Sequence, residues 1–229
     1  MLTRYALIVA GGSGQRMGAQ QPKQFLLLAG KPILIHTIEA FSKAGKSINI
    51  FLVLPENQIQ HWESLCREYD FRIPHSIVAG GESRGNSVKN GLDSINAKDG
   101  WVAVHDGVRP LVDKNLIKGA FAEAEMKGTA IPCVKVNDSL RLISGSANVP
   151  LDREKVRAVQ TPQCFRLDLL RKAYERPDFA DYTDDAQLYE AQGFDLAFID
   201  GNNENIKITT PADLLVAESI LKSRFINNE

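Results

Sequence analysis

The sequence predicts an α/β fold, a Rossmann-like, mostly parallel sheet with helices on both faces, plus one projecting β-arm. Three observations carry this. Short β-branched runs alternate with stretches of helical apolar spacing along the 229 residues, a rhythm that builds parallel sheets through helical crossovers. A glycine-rich loop leaves the first of these runs at once, and one segment, 135–160, breaks the rhythm.

In chain order, the apolar run Tyr5-Ala6-Leu7-Ile8-Val9 marks a buried strand over 4–10. Pro32, suited to a first helical turn, precedes Ile33, Ile38 and Phe41 and predicts a helix there. Strands follow at 48–54 and 75–79, and Val88, Leu92 and Ile95, spaced i, i+4, i+7, predict the next helix. Trp101-Val102-Ala103-Val104-His105 is a strand over 101–105, followed by a helix over about 113–127 and a strand over 129–134. Later helices are expected at about 167–175, 184–192 and 211–224, the last opening on Pro211, with strands over 195–200 and 206–209. From Lys135 to about Gln160, apolar residues stand among charges with no helical period. Two strand-like pieces joined by Ser144-Gly145-Ser146-Ala147-Asn148 predict a hairpin arm. An isolated hairpin is marginal in water, so the arm is expected to pack on something, such as a second subunit.

No Pro/Gly/Ser-rich linker divides the chain, so one domain over 1–229 is expected, with the arm at about 135–160 as an appendage suited to dimerisation. With 27 basic and 28 acidic residues the net charge is −1, which provides no global attraction to nucleic acid or to an anionic membrane. No apolar stretch approaches the roughly 18 residues of a membrane helix. The chain runs from Met1 straight into a strand without a signal-peptide pattern, so a cytoplasmic location is expected. Cys66, Cys133 and Cys164 are odd in number and widely spaced, which predicts reduced, packed thiols and neither a disulfide framework nor a zinc site.

The loop Ala10-Gly11-Gly12-Ser13-Gly14-Gln15-Arg16-Met17-Gly18, followed by Pro22-Lys23-Gln24, carries the most chemical information. Glycines let backbone N–H groups turn toward a ligand. Arg16 offers a planar fork for phosphate oxygens and Lys23 a point charge. A plain surface turn would need neither cation, so the loop points to polyphosphate. It is not the dinucleotide fingerprint, because Met17 stands where the third glycine belongs and Pro22 interrupts the helix that should follow. No Walker A string occurs either, so a dehydrogenase and a P-loop enzyme are both disfavoured.

In open α/β sheets ligands sit at the carboxyl ends of the strands, which gathers the loops 11–23, 80–87 and 106–110 onto one rim. In Gly80-Gly81-Glu82-Ser83-Arg84, Glu82 or Ser83 could simply cap a helix, while the doubled glycine suits a base or ribose lying against backbone. His105-Asp106-Gly107-Val108-Arg109-Pro110 places a carboxylate able to share Mg²⁺ with substrate phosphates, with a structural ion pair between Asp106 and Arg109 as the lesser alternative. His105 is expected to pack or orient its neighbours, and His36, His61 and His75 to be surface or helix residues. Lys207, flanked by Ile206 and Ile208, points away from the face they bury and could be a solvated charge. Thr183-Asp184-Asp185-Ala186 opens a helix with Thr183 as cap. No Ser/His/Asp or Cys/His constellation is legible, which disfavours covalent catalysis.

These blocks, with Gln160-Thr161-Pro162-Gln163 and Asn205-Ile206-Lys207-Ile208-Thr209, resemble the 2-C-methyl-D-erythritol 4-phosphate cytidylyltransferases from about residue 4 to residue 220. The resemblance implies a fold like the nucleotidyltransferase type A enzymes and transfer of a cytidylyl group from CTP to methylerythritol phosphate. It further implies pyrophosphate release, a place in non-mevalonate isoprenoid biosynthesis, and a homodimer whose arm reaches over the partner's site. Arg16, Lys23 and Lys207 would be catalytic, and Ala10, Gly11, Gly12, Gly81, Glu82 and Ser87 would hold the nucleotide. Asp106 would position Mg²⁺ and substrate, Arg109 would help bind substrate, and Ser139 and Arg153 would reach the acceptor from the partner's arm. The Ala10-Gly11-Gly12 start and Val108 are similar also to ribitol 5-phosphate cytidylyltransferases, an alternative acceptor class. A non-catalytic nucleotide-binding regulator is the alternative of another kind, disfavoured by having Arg16, Lys23, Asp106 and Lys207 together.

Overall fold

The structure is a computed structural model and describes residues 2–11, 21–145 and 147–226, with the backbone alone at 225. Strand β1 (Arg4–Val9) leads to the glycine loop, after which a short 3₁₀ turn at Lys23–Phe25 precedes the two-residue strands β2 (Leu27–Leu28) and β3 (Lys31–Pro32). Then come α1 (Ile33–Ala44), β4 (Ile48–Leu54), α2 (Glu56–Glu68), β5 (Ser76–Ala79), α3 (Arg84–Ser94) and β6 (Trp101–Asp106). Next, α4 (Lys114–Lys127) and β7 (Thr129–Lys135) precede the arm strands β8 (Leu140–Ser144) and β9 (Ala147–Leu151). The chain continues through β10 (Arg157–Val159), β11 (Gln163–Arg166), α5 (Leu167–Ala173), α6 (Asp185–Ala191), β12 (Phe198–Asp200) and α7 (Pro211–Ile226).

The main sheet has eight strands in the order β10-β7-β11-β6-β1-β4-β5, with β12 alongside β7. Strands β6, β1, β4 and β5 are parallel neighbours, so their carboxyl ends form one rim. Strand β11 runs antiparallel between β6 and β7. It was not expected, because Gln160-Thr161-Pro162-Gln163 carries little strand propensity and only tertiary pairing on both sides makes Gln163–Arg166 a strand.

Alternate residues of β1 serve the two faces, as a strand's period of two requires. Ala6 and Ile8 join Leu34, Ile38 and Phe41 of α1, Trp62 of α2 and Phe121 of α4. Leu7 and Val9 join Val88 and Leu92 of α3, Leu170 of α5 and Tyr189 of α6. Gly91 lets α3 lie close on the sheet, since a Cβ there would be 2.3 Å from Cδ1 of Leu7 and 3.0 Å from Cγ2 of Val53. A smaller cluster of Leu28, Ile33, Val108, Leu111, Ile208 and Ala217 ties α7 to the rim.

Three expectations need correction. Helix α2 was not predicted, although Ile59, Trp62 and Leu65 recur at helical spacing on an otherwise polar stretch whose buried residues are only Trp62 and Leu65. Residues 206–209 are not a strand. Among the described residues the segment has no ladder partner, and it is fixed by a hydrogen bond from Ile208 N to Val108 O (2.9 Å) and by the buried Ile208 side chain. The strand expected over 195–200 is only β12, because Asp195 and Ala197 bond to Thr129 and Ile131 irregularly. The hairpin itself is as expected, with β8 and β9 paired antiparallel and apart from the main sheet.

Candidate active site

The parallel register sets Val9 of β1 beside Asp106 of β6, so both strands end at the same level. Gly107 then turns the chain tightly over β1: its N–H donates to Val9 O (2.8 Å), and a Cβ there would be 2.8 Å from Cβ of Ala10. Beside this turn lies a cavity of about 200 Å³. It gathers Ala10, Gly11, Lys23, Gly81, Glu82, Ser87, Asp106 and Lys207, eight of the residues singled out in the sequence. Gly12 and Arg16 lie outside the described residues. Ser139 and Arg153 are exposed on and beside the arm, do not line the cavity, and are not brought to it within this chain. A wider groove of about 1460 Å³ runs beside β12 and the foot of the arm and holds none of these residues.

The glycine-walled side of the cavity is shaped by caps. Ser83 is the N-cap of α3, its hydroxyl accepting from Asn86 N (3.1 Å). The buried Ser87 hydroxyl donates to Ser83 O (2.9 Å) and accepts from Gly81 N (3.1 Å), which fixes the glycine backbone. Gln24, part of the loop motif but given no role from the sequence, is fully buried beside the loop's first residue and donates to Ala10 O (2.8 Å) and to Oε1 of Gln58 (2.6 Å).

At the other end Asp106 is 8% exposed and, among the described residues, faces three cations. Its Oδ2 is 3.0 Å from Nζ of Lys207 and 3.3 Å from Nε of Arg109, and its Oδ1 is 3.8 Å from Nε of Arg84. Burial alone would raise its pKa, but Lys207, Arg84 and Arg109 together hold the carboxyl well below the usual range. It is therefore ionised at any working pH. The ion-pair alternative raised for Arg109 is present: its side chain is only 12% exposed, and its other donor reaches Asn205 O (2.7 Å). His105 is fully buried, with Nδ1 3.0 Å from Oγ1 of Thr161 and Nε2 3.1 Å from Arg109 O, and burial pushes its pKa down to about 4. It orients its neighbours.

Residues that patterning left without a role hold this end together. Thr161 Oγ1 accepts from Asp106 N (3.1 Å), and Asn205 Nδ2 donates to Thr161 O (2.8 Å). Gln160 bonds Asn202 in both directions (2.9 and 3.1 Å). The cap of α6 is Asp184, not Thr183: Asp184 accepts from Gln187 N (2.8 Å), while Thr183 bonds the Gln187 side chain. Asp185 instead turns inward to Arg84, 2.7 Å away. Tight polar residues spaced through a loop were the only available signal, and their partners lie on distant elements.

Among the described residues no group of three or more His, Cys, Asp or Glu side chains could hold a metal. A single ionised carboxylate amid cations fits Mg²⁺ only if substrate phosphates supply most of the oxygens, which is how this ion is usually bound. The three thiols are free, and Cys164 is buried. No helix of the described chain is long and apolar enough to cross a membrane.

The family model described as 2-C-methyl-D-erythritol 4-phosphate cytidylyltransferase matches residues 5–223. A Porphyromonas gingivalis protein of that name is 50% identical over 222 residues, covering 96% of this chain and 98% of its own length. Its Bacteroides fragilis counterpart is 47% identical over 220 residues, 96% of this chain and 100% of its own. Among solved structures, the 2-C-methyl-D-erythritol 4-phosphate cytidylyltransferase of Thermus thermophilus superposes with a TM-score of 0.76 at 31% identity, over 96% of this chain and 100% of that one. The 4-diphosphocytidyl-2C-methyl-D-erythritol synthase of Anaerococcus prevotii gives 0.80 at 28% identity, over 96% and 99%.

Proposed function

This chain belongs to the 2-C-methyl-D-erythritol 4-phosphate cytidylyltransferase family, and from that premise we propose how its residues divide the work. The reaction is cytidylyl transfer from CTP to 2-C-methyl-D-erythritol 4-phosphate, giving 4-diphosphocytidyl-2-C-methyl-D-erythritol and pyrophosphate in isoprenoid biosynthesis. The acceptor phosphate is already an anionic nucleophile. No strong general base is needed, and catalysis comes from alignment and from charge stabilisation at the α-phosphorus.

Ala10, Gly11, Gly81, Glu82 and Ser87 cradle the cytidine, with Gly12 completing the loop. Lys23 and Arg16 take the triphosphate, and Lys207 meets the charge that builds on the α-phosphorus. Asp106 holds Lys207 in place and turns toward the acceptor and a divalent cation, while Arg109 supports Asp106 and assists the substrate. Mg²⁺, when bound, would be held by Asp106 together with substrate oxygens and would withdraw charge from the phosphates. One nucleotidyltransferase domain carries this cavity, and the arm of a partner subunit supplies Ser139 and Arg153 to the acceptor. The observation that carries the reading is the placing of Lys207 on Asp106, 3.0 Å apart, at the end of a glycine-walled cavity that also holds Lys23.

The test is pyrophosphate release by purified protein with CTP and Mg²⁺, offered methylerythritol phosphate and ribitol 5-phosphate in parallel. Turnover is expected with the first and to vanish with chelator. Faster turnover with ribitol 5-phosphate would overturn the acceptor, and release with neither would leave a nucleotide-binding protein.

A further inference from the structure

Arg84 sits in the first turn of α3, where a cation opposes the positive end of the helix dipole. Its position is explained by a chain of contacts running away from the cavity. Its guanidinium is 2.7 Å from Oδ2 of Asp185, whose side chain is fully buried, and Oδ1 of Asp185 accepts the Tyr174 hydroxyl at 2.5 Å. Tyr174 is itself 4% exposed. A carboxylate taken out of water is costly unless paired and hydrogen-bonded, and Asp185 is not needed as a helix cap because Asp184 serves. The pair therefore fixes where the Arg84 guanidinium lies. On its other side Nε of Arg84 faces Oδ1 of Asp106 at 3.8 Å, while Oδ2 is occupied by Lys207 and Arg109.

We propose that Arg84, clamped by Asp185 and Tyr174, is a positioning residue that sets the rotation of the Asp106 carboxylate and thereby the place of Lys207. Among the described residues Arg84 is the cation facing Oδ1, so fixing its guanidinium biases the rotation of the carboxylate whose Oδ2 meets Lys207 and Arg109. Asp185 provides that fixity from a helix 101 residues along the chain from Arg84. The inference rests on Asp106 serving the transfer reaction.

A double-mutant cycle tests it. In otherwise wild-type protein, Arg84→Met is expected to lower kcat by about thirtyfold, within the range of a lost preorganising charge, while CTP affinity by calorimetry stays within about threefold. In an Asp106→Asn background the same change is expected to alter kcat by less than about threefold, because the group it positions is gone. Asp185→Asn and Tyr174→Phe, which leave Arg84 in place, are expected to show smaller losses with the same dependence on Asp106. Equal factors with and without Asp106 would overturn the proposal, as would wild-type kcat in Arg84→Met or a loss confined to CTP affinity. If Arg84→Met unfolds at assay temperature, the Tyr174→Phe cycle decides by the same criterion. Wild-type protein that binds CTP yet never turns over methylerythritol phosphate would instead refute the proposed function.

Discussion

Nζ of Lys207 stands 3.0 Å from Oδ2 of Asp106, joining the segment before α7 to the end of the central strand β6. The lysine side chain is 41% exposed and the Asp106 side chain 11%, so the buried partner aims the accessible one. Lys207→Ala is expected to lower kcat by roughly two to three orders of magnitude, the scale of one preorganised charge at a reacting centre. Pyrophosphate release measures it, and near-normal turnover would take Lys207 out of the chemistry.

Lys23 reaches the cavity from the 3₁₀ turn that follows the glycine loop. It lines the same cavity as Gly11, and with the triphosphate role proposed for it Lys23→Ala should lower kcat by about a hundredfold or more. A rise in KM for CTP at unchanged kcat would make it a ground-state binder instead.

Stability should fall as the medium is acidified from neutrality through pH 6.5. His75 Nε2 accepts the Trp62 indole N–H (3.0 Å) and its Nδ1 donates to Ile73 O (2.7 Å), a neutral tautomer. Burial lowers the pKa of His75 and of His36 below 6.5. The unfolded chain therefore takes up protons first, and the stability present above the unfolded value is lost as pH drops toward the folded one. Glu39, Asp113 and Asp213, all lowered, contribute a separate loss at more acid pH. Urea midpoints at pH 7.5 and 5.5 measure the first window, and His75→Gln should narrow the difference between them. An unchanged difference would show that His75 does not titrate on unfolding.

On the arm, Leu142, Ile143 and Val149 are 54%, 66% and 51% exposed, apolar area that a monomer gains nothing by showing to water. If the arm is shared between subunits as proposed, Ile143→Glu is expected to give monomers by sedimentation and to abolish turnover while CTP binding persists. A fully active monomer would sink the shared-arm arrangement.

Gly91→Ala puts a methyl group against Leu7 and Val53, where a Cβ has 2.3 Å and 3.0 Å of room. Overpacking of this kind costs about 1–3 kcal/mol. Thermal unfolding should show the loss, with kcat per folded molecule unchanged. An unaltered melting temperature would mean that α3 can lift off β1 at no cost.

The parallel half of the fold was legible because β1, β4 and β6 are near-continuous apolar runs and α1, α3 and α4 carry helical spacing. Helix α2 escaped because little of it is buried, and β11 because its pairing comes from tertiary neighbours. In the site, glycines and cations close together in sequence were readable. The anchors were not: Asn205 on Thr161, Gln24 on Ala10 and Asp185 on Arg84 are polar pairs between distant segments, and a one-dimensional pattern contains no trace of who meets whom. In the sequence Asp185 reads as a dipole-end carboxylate because Asp184 and Asp185 are chemically identical, and only the fold decides which one turns inward.

Arg109 meets the carbonyl of Asn205, 96 residues downstream. On a ribosome, β1 and β6 emerge before residues 205–208 and can pair without them. Until residues 205–208 arrive, Asp106 lacks Lys207, Arg109 lacks its carbonyl anchor, and Val108 lacks the strap donated by Ile208. The β1–β6 pairing can thus precede the closing of this end of the cavity, which waits on a short segment about a hundred residues further along the chain.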